Sequence, residues 1–172
     1  MALRNILTLD LATNVGWAVG PPDGDPISGT EKLPSTGADI GRFACKFEDW
    51  LLDMLILHDP ALVVFEAPFV GKTGNANTAR KLMGLCWQTE VCCYRREIRC
   101  AEHNNASVKK FFAGHGRAEK EDMIAAARRQ GWNPVDDNAA DALGLWACVV
   151  NERAPQFAAR FQLGPLAHKV SA

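Results

Sequence analysis

The sequence predicts an α/β fold in which one mixed sheet is flanked by helices, and three observations carry that prediction. Short apolar, β-branched runs open the chain in close succession, a long segment of helical periodicity separates them from another apolar run, and the last third reads as helices. The 172 residues, 48% of them apolar, suffice for one good core and are few for two. One domain over residues 1–153 is therefore expected, with 154–172 as a loosely attached carboxy-terminal extension.

Asn5 to Asp10 has strand composition, Thr13-Asn14 is turn chemistry and Val15 to Val19 suits a second strand, so the chain opens on a hairpin. A Pro, Gly and Asp-rich loop from Gly20 to Asp25 precedes a weaker third strand, Ile27 to Leu33. From Ile40 to Leu57 apolar residues recur at helical spacing, and His58-Asp59-Pro60 ends the helix. Leu62 to Phe65 is a compact apolar run suited to a strand covered on both faces, with Glu66 at its end. The Gly and Asn loop from Gly71 to Asn77 leads to a helix from Thr78 to about Tyr94, then a short strand, Ile98 to Ala101. Helices follow at Ser107 to Phe112, Ala118 to Gln130 and Ala139 to Asn151, separated by Gly-rich turns.

No basic start followed by an apolar stretch marks a signal peptide, and no apolar run approaches the roughly 20 residues that span a bilayer, so a soluble, cytoplasmic protein of a bacterial or phage-infected cell is expected. The net charge of −1 leaves any affinity for nucleic acid to a local patch. Six cysteines fall in segments that read as buried helix or strand, without paired zinc-ligand spacing, and are expected as reduced core thiols.

Three acidic positions adjoin strongly apolar elements, where a charge has no structural reason to stand: Asp10, Glu66, and the cluster of Asp136, Asp137 and Asp141. Asp137 and Asp141 are four apart and Asn138 and Asp141 three apart, so either pair shares a helical face. If the strands bring Asp10 and Glu66 beside that face, the converging carboxylates need divalent cations to offset their repulsion. Oxygen ligands favour Mg²⁺ or Mn²⁺, and two such ions about 4 Å apart can activate a water and stabilise the leaving oxygen in phosphodiester hydrolysis. Singly, each residue has another reading: Asp10 as a turn residue, Glu66 as a strand-end charge, Asp136 or Asp137 as a helix cap.

The stretch Ile6 to Val19, with an aspartate ending the first strand and Gly16-Trp17 in the second, resembles the opening hairpin of RuvC-type Holliday junction resolvases. Leu62-Val63-Val64-Phe65-Glu66 resembles their second acidic motif, and Ser107 to Lys110, Gly114 to Gly116, Ala118 to Lys120 and Asp137 to Leu143 resemble their last block in order and spacing. The resemblance implies a ribonuclease H-like fold, a homodimer, two Mg²⁺ ions and paired nicks across a four-way DNA junction. Bacterial members usually carry an acidic residue or His where this chain has Asn138. Asp137 is taken as the ligand, as in the phage-like members this sequence is similar to, with Asn138 as its competitor.

Lys109, Lys110, Arg117 and Lys120 gather around a Gly-rich turn and suit phosphate contact, or a solvated helix face. The resemblance singles out Lys109, Lys110 and Lys120 as lying near the scissile phosphate or backbone, with Lys120 offsetting charge in the transition state. It also puts an aromatic wedge near Phe69, where base stacking and loop anchoring are both open readings. Lys72, Arg80 and Lys81 could extend the positive surface or serve a solvated helix face, His103 and His115 are candidate proton carriers or else exposed or capping residues, and the five tryptophans suit core or interface. Other readings stay open: a related nuclease on forks, flaps or RNA-DNA hybrids, a junction-binding protein without catalysis, and an actin-like ATPase, for which the chain is short. A branch-migration partner is left unidentified.

Overall fold

The computed structural model describes residues 4–68 and 76–161. In chain order these form β1 (Ile6–Asp10), β2 (Asn14–Gly20), β3 (Ile27–Lys32), α1 (Ile40–His58), β4 (Leu62–Glu66), α2 (Ala76–Arg95) and β5 (Arg99–His103). Helices α3 (Asn105–Ala113), α4 (Lys120–Arg129) and α5 (Asp137–Arg153) follow, then a 3₁₀ segment, Pro155–Phe161. The sheet order is β3-β2-β1-β4-β5. The meander β1-β2-β3 is antiparallel, while β4 and β5 run parallel to β1, which makes the expected mixed sheet. Each parallel step crosses over through a helix, as parallel strands require.

The period of two along each strand decides which face each side chain serves. Leu7 and Leu9 of β1, Val15 and Val19 of β2 and Val63 and Phe65 of β4 pack with Phe43, Phe47 and Leu51 of α1 and Leu85 and Cys93 of α2. Ile6, Ala18 and Val64 face the other way, onto α5 and its neighbours α3 and α4. On β2 this second face carries Gly16, Ala18 and Gly20, side chains small enough for α5 to lie close against the sheet. A Cβ at Gly16 would collide with the Asn138 backbone carbonyl, and the Trp146 indole Nε1 reaches the Gly20 carbonyl at 3.4 Å. Every residue of α5 from Ala142 to Val150 is buried, because the sheet covers one side and α3, α4 and the 3₁₀ segment cover the other.

Local chemistry sets the ends of the helices. Asp39 caps α1 by accepting from the Arg42 N–H at 2.9 Å, and Asp59, in the left-handed region at φ 41°, closes it before Pro60. Glu119 and Asp122 form a reciprocal capping box at α4. Asp136 accepts from Ala139 N–H at 2.9 Å, so α5 begins at Asp137, two residues ahead of the Ala139 start expected from periodicity.

Two expectations need correction. The cysteines are all free, but Cys45 is exposed on α1 rather than a core thiol. Residues after Arg153 do not all hang loosely: the 3₁₀ segment buries Ala158 and sets the Phe161 ring edge-on against Trp132 and Trp146. Arg160 fastens this segment, donating to the Pro22 and Gly24 carbonyls at 3.0 and 2.8 Å and lying over the Phe161 ring. The sequence hides this because the residues that receive the tail belong to the Pro and Gly loop between β2 and β3, over a hundred positions away. Losing two charge-assisted bonds, Arg160→Ala is expected to cost about 1–3 kcal/mol, read as a lower urea midpoint with an unchanged slope.

Candidate active site

Strands β1 and β4 are parallel and in register from Ile6 opposite Leu62 to Leu9 opposite Phe65, so Asp10 and Glu66 end neighbouring strands at the same edge of the sheet. By strand alternation Asp10 follows Ile6 and Thr8, and Glu66 follows Leu62 and Val64, onto the face that α5 covers. The amino terminus of α5 lies there because Asp10 pairs with Gly16 and Gly16 packs on the Asn138 backbone. A buried hydroxyl completes the attachment: Thr8 Oγ1 donates to the Ala142 carbonyl at 2.8 Å, one residue beyond Asp141. Asp137 and Asp141, one turn apart on α5, are thereby carried toward the strand ends that bear Asp10 and Glu66.

The charges of these acids act on one another. Burial, with the charges of Glu66, Asp141 and Asp137, pushes the Asp10 carboxyl up to about 8. Burial also raises Glu66, opposed by a hydrogen bond from the Asn105 side chain, and raises Asp141, opposed by the Lys109 ammonium. Asp137 goes the other way, held below the usual carboxylate range by its ion pair with the exposed Lys120. Asp141 Oδ1 is buried without a hydrogen-bond partner among the described residues. An orphaned carboxylate oxygen beside a carboxyl raised by its neighbours is a set short of positive charge, and an all-oxygen donor set of this kind fits Mg²⁺ or Mn²⁺.

Asp136 is set apart from the other acids. Its carboxylate is spent on the α5 cap and on accepting from Thr30 Oγ1 at 2.6 Å, while Asp137 pairs with Lys120. Asn138 contributes its backbone to the contact with Gly16.

Of the cations, half-buried Lys109 acts on Asp10, Glu66 and Asp141, and Lys120 on Asp137 and Asp141. Lys110 and Arg117 are exposed nearby, flanking α3 and the Gly114 turn. Arg80 and Lys81 sit on α2, where Lys81 Nζ lies 4.6 Å over the Phe43 ring. Phe69 and Lys72 lie outside the described residues. His115 pairs with Asp122 at 3.6 Å on the surface, away from the proton-carrier role considered for it. A cleft of about 410 Å³ opens beside Glu66, between Ala67, Pro68, Asn104, Asn105, Lys109 and Gly116. Sequence reasoning missed Asn105; the one available signal was an Asn-Asn pair at a helix start, where Asn104 alone does the capping.

This fold, with acids gathered at the sheet edge, is the ribonuclease H-like architecture of DNA junction nucleases. The structure of Thermus thermophilus RuvC matches with a TM-score of 0.64 at 20% identity, over 88% of this chain and 96% of that one. T. thermophilus RuvC in complex with a Holliday junction substrate matches at 0.71 and 20% identity, over 89% and 95%. The yeast mitochondrial Holliday junction resolvase Ydc2 gives 0.60 at 10% identity, over 91% and 84%. In sequence, the crossover junction endodeoxyribonuclease RuvC of Halorhodospira halophila is 32% identical over 158 residues, 88% of this chain and 92% of that protein. The RuvC of Alkalilimnicola ehrlichii is 31% identical over 129 residues, covering 73% and 74%. No protein-family model matches the chain. The chain belongs to the RuvC family of crossover junction endodeoxyribonucleases.

Two outcomes follow from this geometry. Gly16→Ala must push α5 off β2, and we expect it to destabilise the protein by about 1–3 kcal/mol, the usual cost of overpacking, with loss of any activity that needs Asp137 and Asp141 beside Asp10. The Asp10 carboxyl is raised on folding, so the folded state binds a proton that the unfolded state has released, and stability falls as pH rises from about 4 to about 8. In chelator, Asp10→Asn should therefore melt higher than wild type at pH 8, by at least about 3 °C, with the gap closing toward pH 4. A gap independent of pH would mean that Asp10 is not the buried, proton-holding group.

Proposed function

We propose that this chain is a structure-selective endodeoxyribonuclease that resolves four-way DNA junctions with divalent metal ions held by Asp10, Glu66, Asp137 and Asp141. The observation that carries the reading is the placement of these acids on two strand ends and one helix start, with an orphaned oxygen on Asp141 and an Asp10 carboxyl raised by burial and by its acidic neighbours. Family membership supplies the substrate class: the relatives are named crossover junction endodeoxyribonucleases, and one matched structure holds a Holliday junction substrate.

Mg²⁺ or Mn²⁺, two per site, would supply an activated water and stabilise the leaving oxygen. This chain's residues do the rest. Asp10 and Glu66, fixed by paired strands, define a rigid edge that α5 closes with Asp137 and Asp141. The Asn105 side chain hydrogen-bonds to the Glu66 carboxylate. Lys109, central to the carboxylates, and Lys120, movable on the surface, are cations available to the scissile phosphate once metal relieves the acids. Lys110, Arg117, Arg80, Lys81 and Lys72 would follow the DNA backbone, and Phe69 would stack at the junction centre.

Paired nicks on a two-fold junction need a two-fold enzyme. Helix α2 offers a face for one: Met83, Trp87 and Tyr94 recur on one side of it and are 51%, 73% and 85% exposed, and Met83 and Trp87 share a groove with Ile40 and Pro68. No described helix is long and apolar enough to cross a membrane.

The test is cleavage of an immobile four-way junction against linear duplex, fork, flap and RNA-DNA hybrid, in Mg²⁺, Mn²⁺ or chelator. We expect symmetric nicks in the junction alone, lost in chelator and slowed at least about a hundredfold by Asp10→Asn. Equal cutting of all substrates would leave a nuclease without junction selectivity, and tight binding without cutting in any metal would remove the catalytic assignment. Sedimentation of wild type and Trp87→Glu should give a dimer and a monomer respectively.

A further inference from the structure

On the α5 face of the sheet, one strand beyond Glu66, three ligand-type side chains meet outside the carboxylate site. His103 ends the edge strand β5, opposite Glu66 in register, and the interior of α5 brings Cys148 and Glu152, one turn apart, against it. The His103 Nε2 lies 3.0 Å from Glu152 Oε1 and 3.7 Å from Cys148 Sγ, and Sγ lies 3.8 Å from the same carboxylate oxygen. Among the described residues this is the trio of His, Cys and acidic groups whose ligand atoms close to within 4.8 Å of one another.

We propose that His103, Cys148 and Glu152 form a second metal site, selective for Zn²⁺ rather than Mg²⁺, that fastens the edge strand β5 to α5. Three observations carry it. The first is distance: tetrahedral Zn²⁺ with bonds of about 2.0–2.3 Å holds its donors roughly 3.3–3.7 Å apart, which the two sulfur separations of 3.7 and 3.8 Å match and the 3.0 Å His103–Glu152 contact approaches from below. The second is the direction of the imidazole. Nδ1 sits 3.2 Å from the Asn104 carbonyl, which can only accept; with the hydrogen on Nδ1, the Nε2 lone pair faces the carboxylate oxygen and the sulfur. The Cys148 thiol donates to Glu152, and a metal ion that displaces that proton joins all three donors. The third is access: Cys148 is buried and His103 mostly so, while Glu152 is exposed, leaving a fourth position on the solvent side. Sulfur with imidazole and a single carboxylate selects Zn²⁺ over the hard ions suited to the all-oxygen site.

The experiment uses the full chain, stripped of metal under reducing conditions and titrated with Co²⁺ as a spectroscopic substitute and with Zn²⁺ against a chromogenic chelator. We expect one equivalent of thiolate-to-cobalt absorption in wild type, in Asp10→Asn, which alters the carboxylate site, and in Cys93→Ala, which removes a different buried thiol. The band should vanish in Cys148→Ala, and the Zn²⁺ affinity should fall at least about tenfold in Cys148→Ala, His103→Ala and Glu152→Gln. Glu152 is exposed, so its Gln variant keeps the fold, and Zn²⁺ should raise the melting temperature of wild type and Asp10→Asn but not of Glu152→Gln. No thiolate band in wild type, or a band that survives Cys148→Ala, would overturn the site and leave the trio as a proton-bridged ion pair. Because Asp10→Asn retains the signal if the site exists, the outcome does not depend on the nuclease reading.

Discussion

The close approach of α5 to β1 and β2 is the contact on which the rest of the molecule depends. A helix can lie this near a sheet only where the sheet presents almost no side chain, and β2 does so with Gly16, Ala18 and Gly20 on one face. Thr8 adds a polar anchor in an apolar setting, its hydroxyl satisfied by the Ala142 carbonyl so that burial costs little. From this contact follow the all-round burial of α5 and the stacking of α3, α4 and the 3₁₀ segment on its far side. The height at which Asp137 and Asp141 stand over the sheet edge follows as well.

That arrangement concentrates negative charge where the packing is most rigid. Carboxylates free to move would separate; these cannot, because Asp10 and Glu66 end paired strands and Asp141 sits in the first full turn of a buried helix. The fold answers with partial compensation only. Lys109, Lys120 and the Asn105 amide each lower one or more of the acids, yet burial and its neighbours keep the Asp10 carboxyl raised, and Asp141 keeps an oxygen without a partner among the described residues. A site arranged so is pre-organised for cations and costs stability without them, which is the usual trade at functional centres.

The near-zero net charge and the local cations are reconciled by position. Lys109 is half-buried among the acids and exposed Lys120 pairs with Asp137 at the surface, while Lys110 and Arg117 stay exposed beside the same turn. Fold class alone does not choose between a nuclease and an actin-like ATPase; the RuvC relatives, aligned over most of the chain, do.

The sequence by itself determined the elements and the candidate acids, because both depend on local order. Alternation and helical period are written in neighbouring residues, so the strands, the long α1 and the pairing of Asp137 with Asp141 on one face were legible, as was the motif order that marks the family. Asn105 on Glu66, Thr8 on Ala142, Arg160 on the β2-β3 loop and the meeting of His103 with Cys148 and Glu152 were not. Each joins residues between about forty and about one hundred and forty positions apart. No local pattern encodes such a pair; only packing α5 against the small-residue face of β2 decided which distant groups touch.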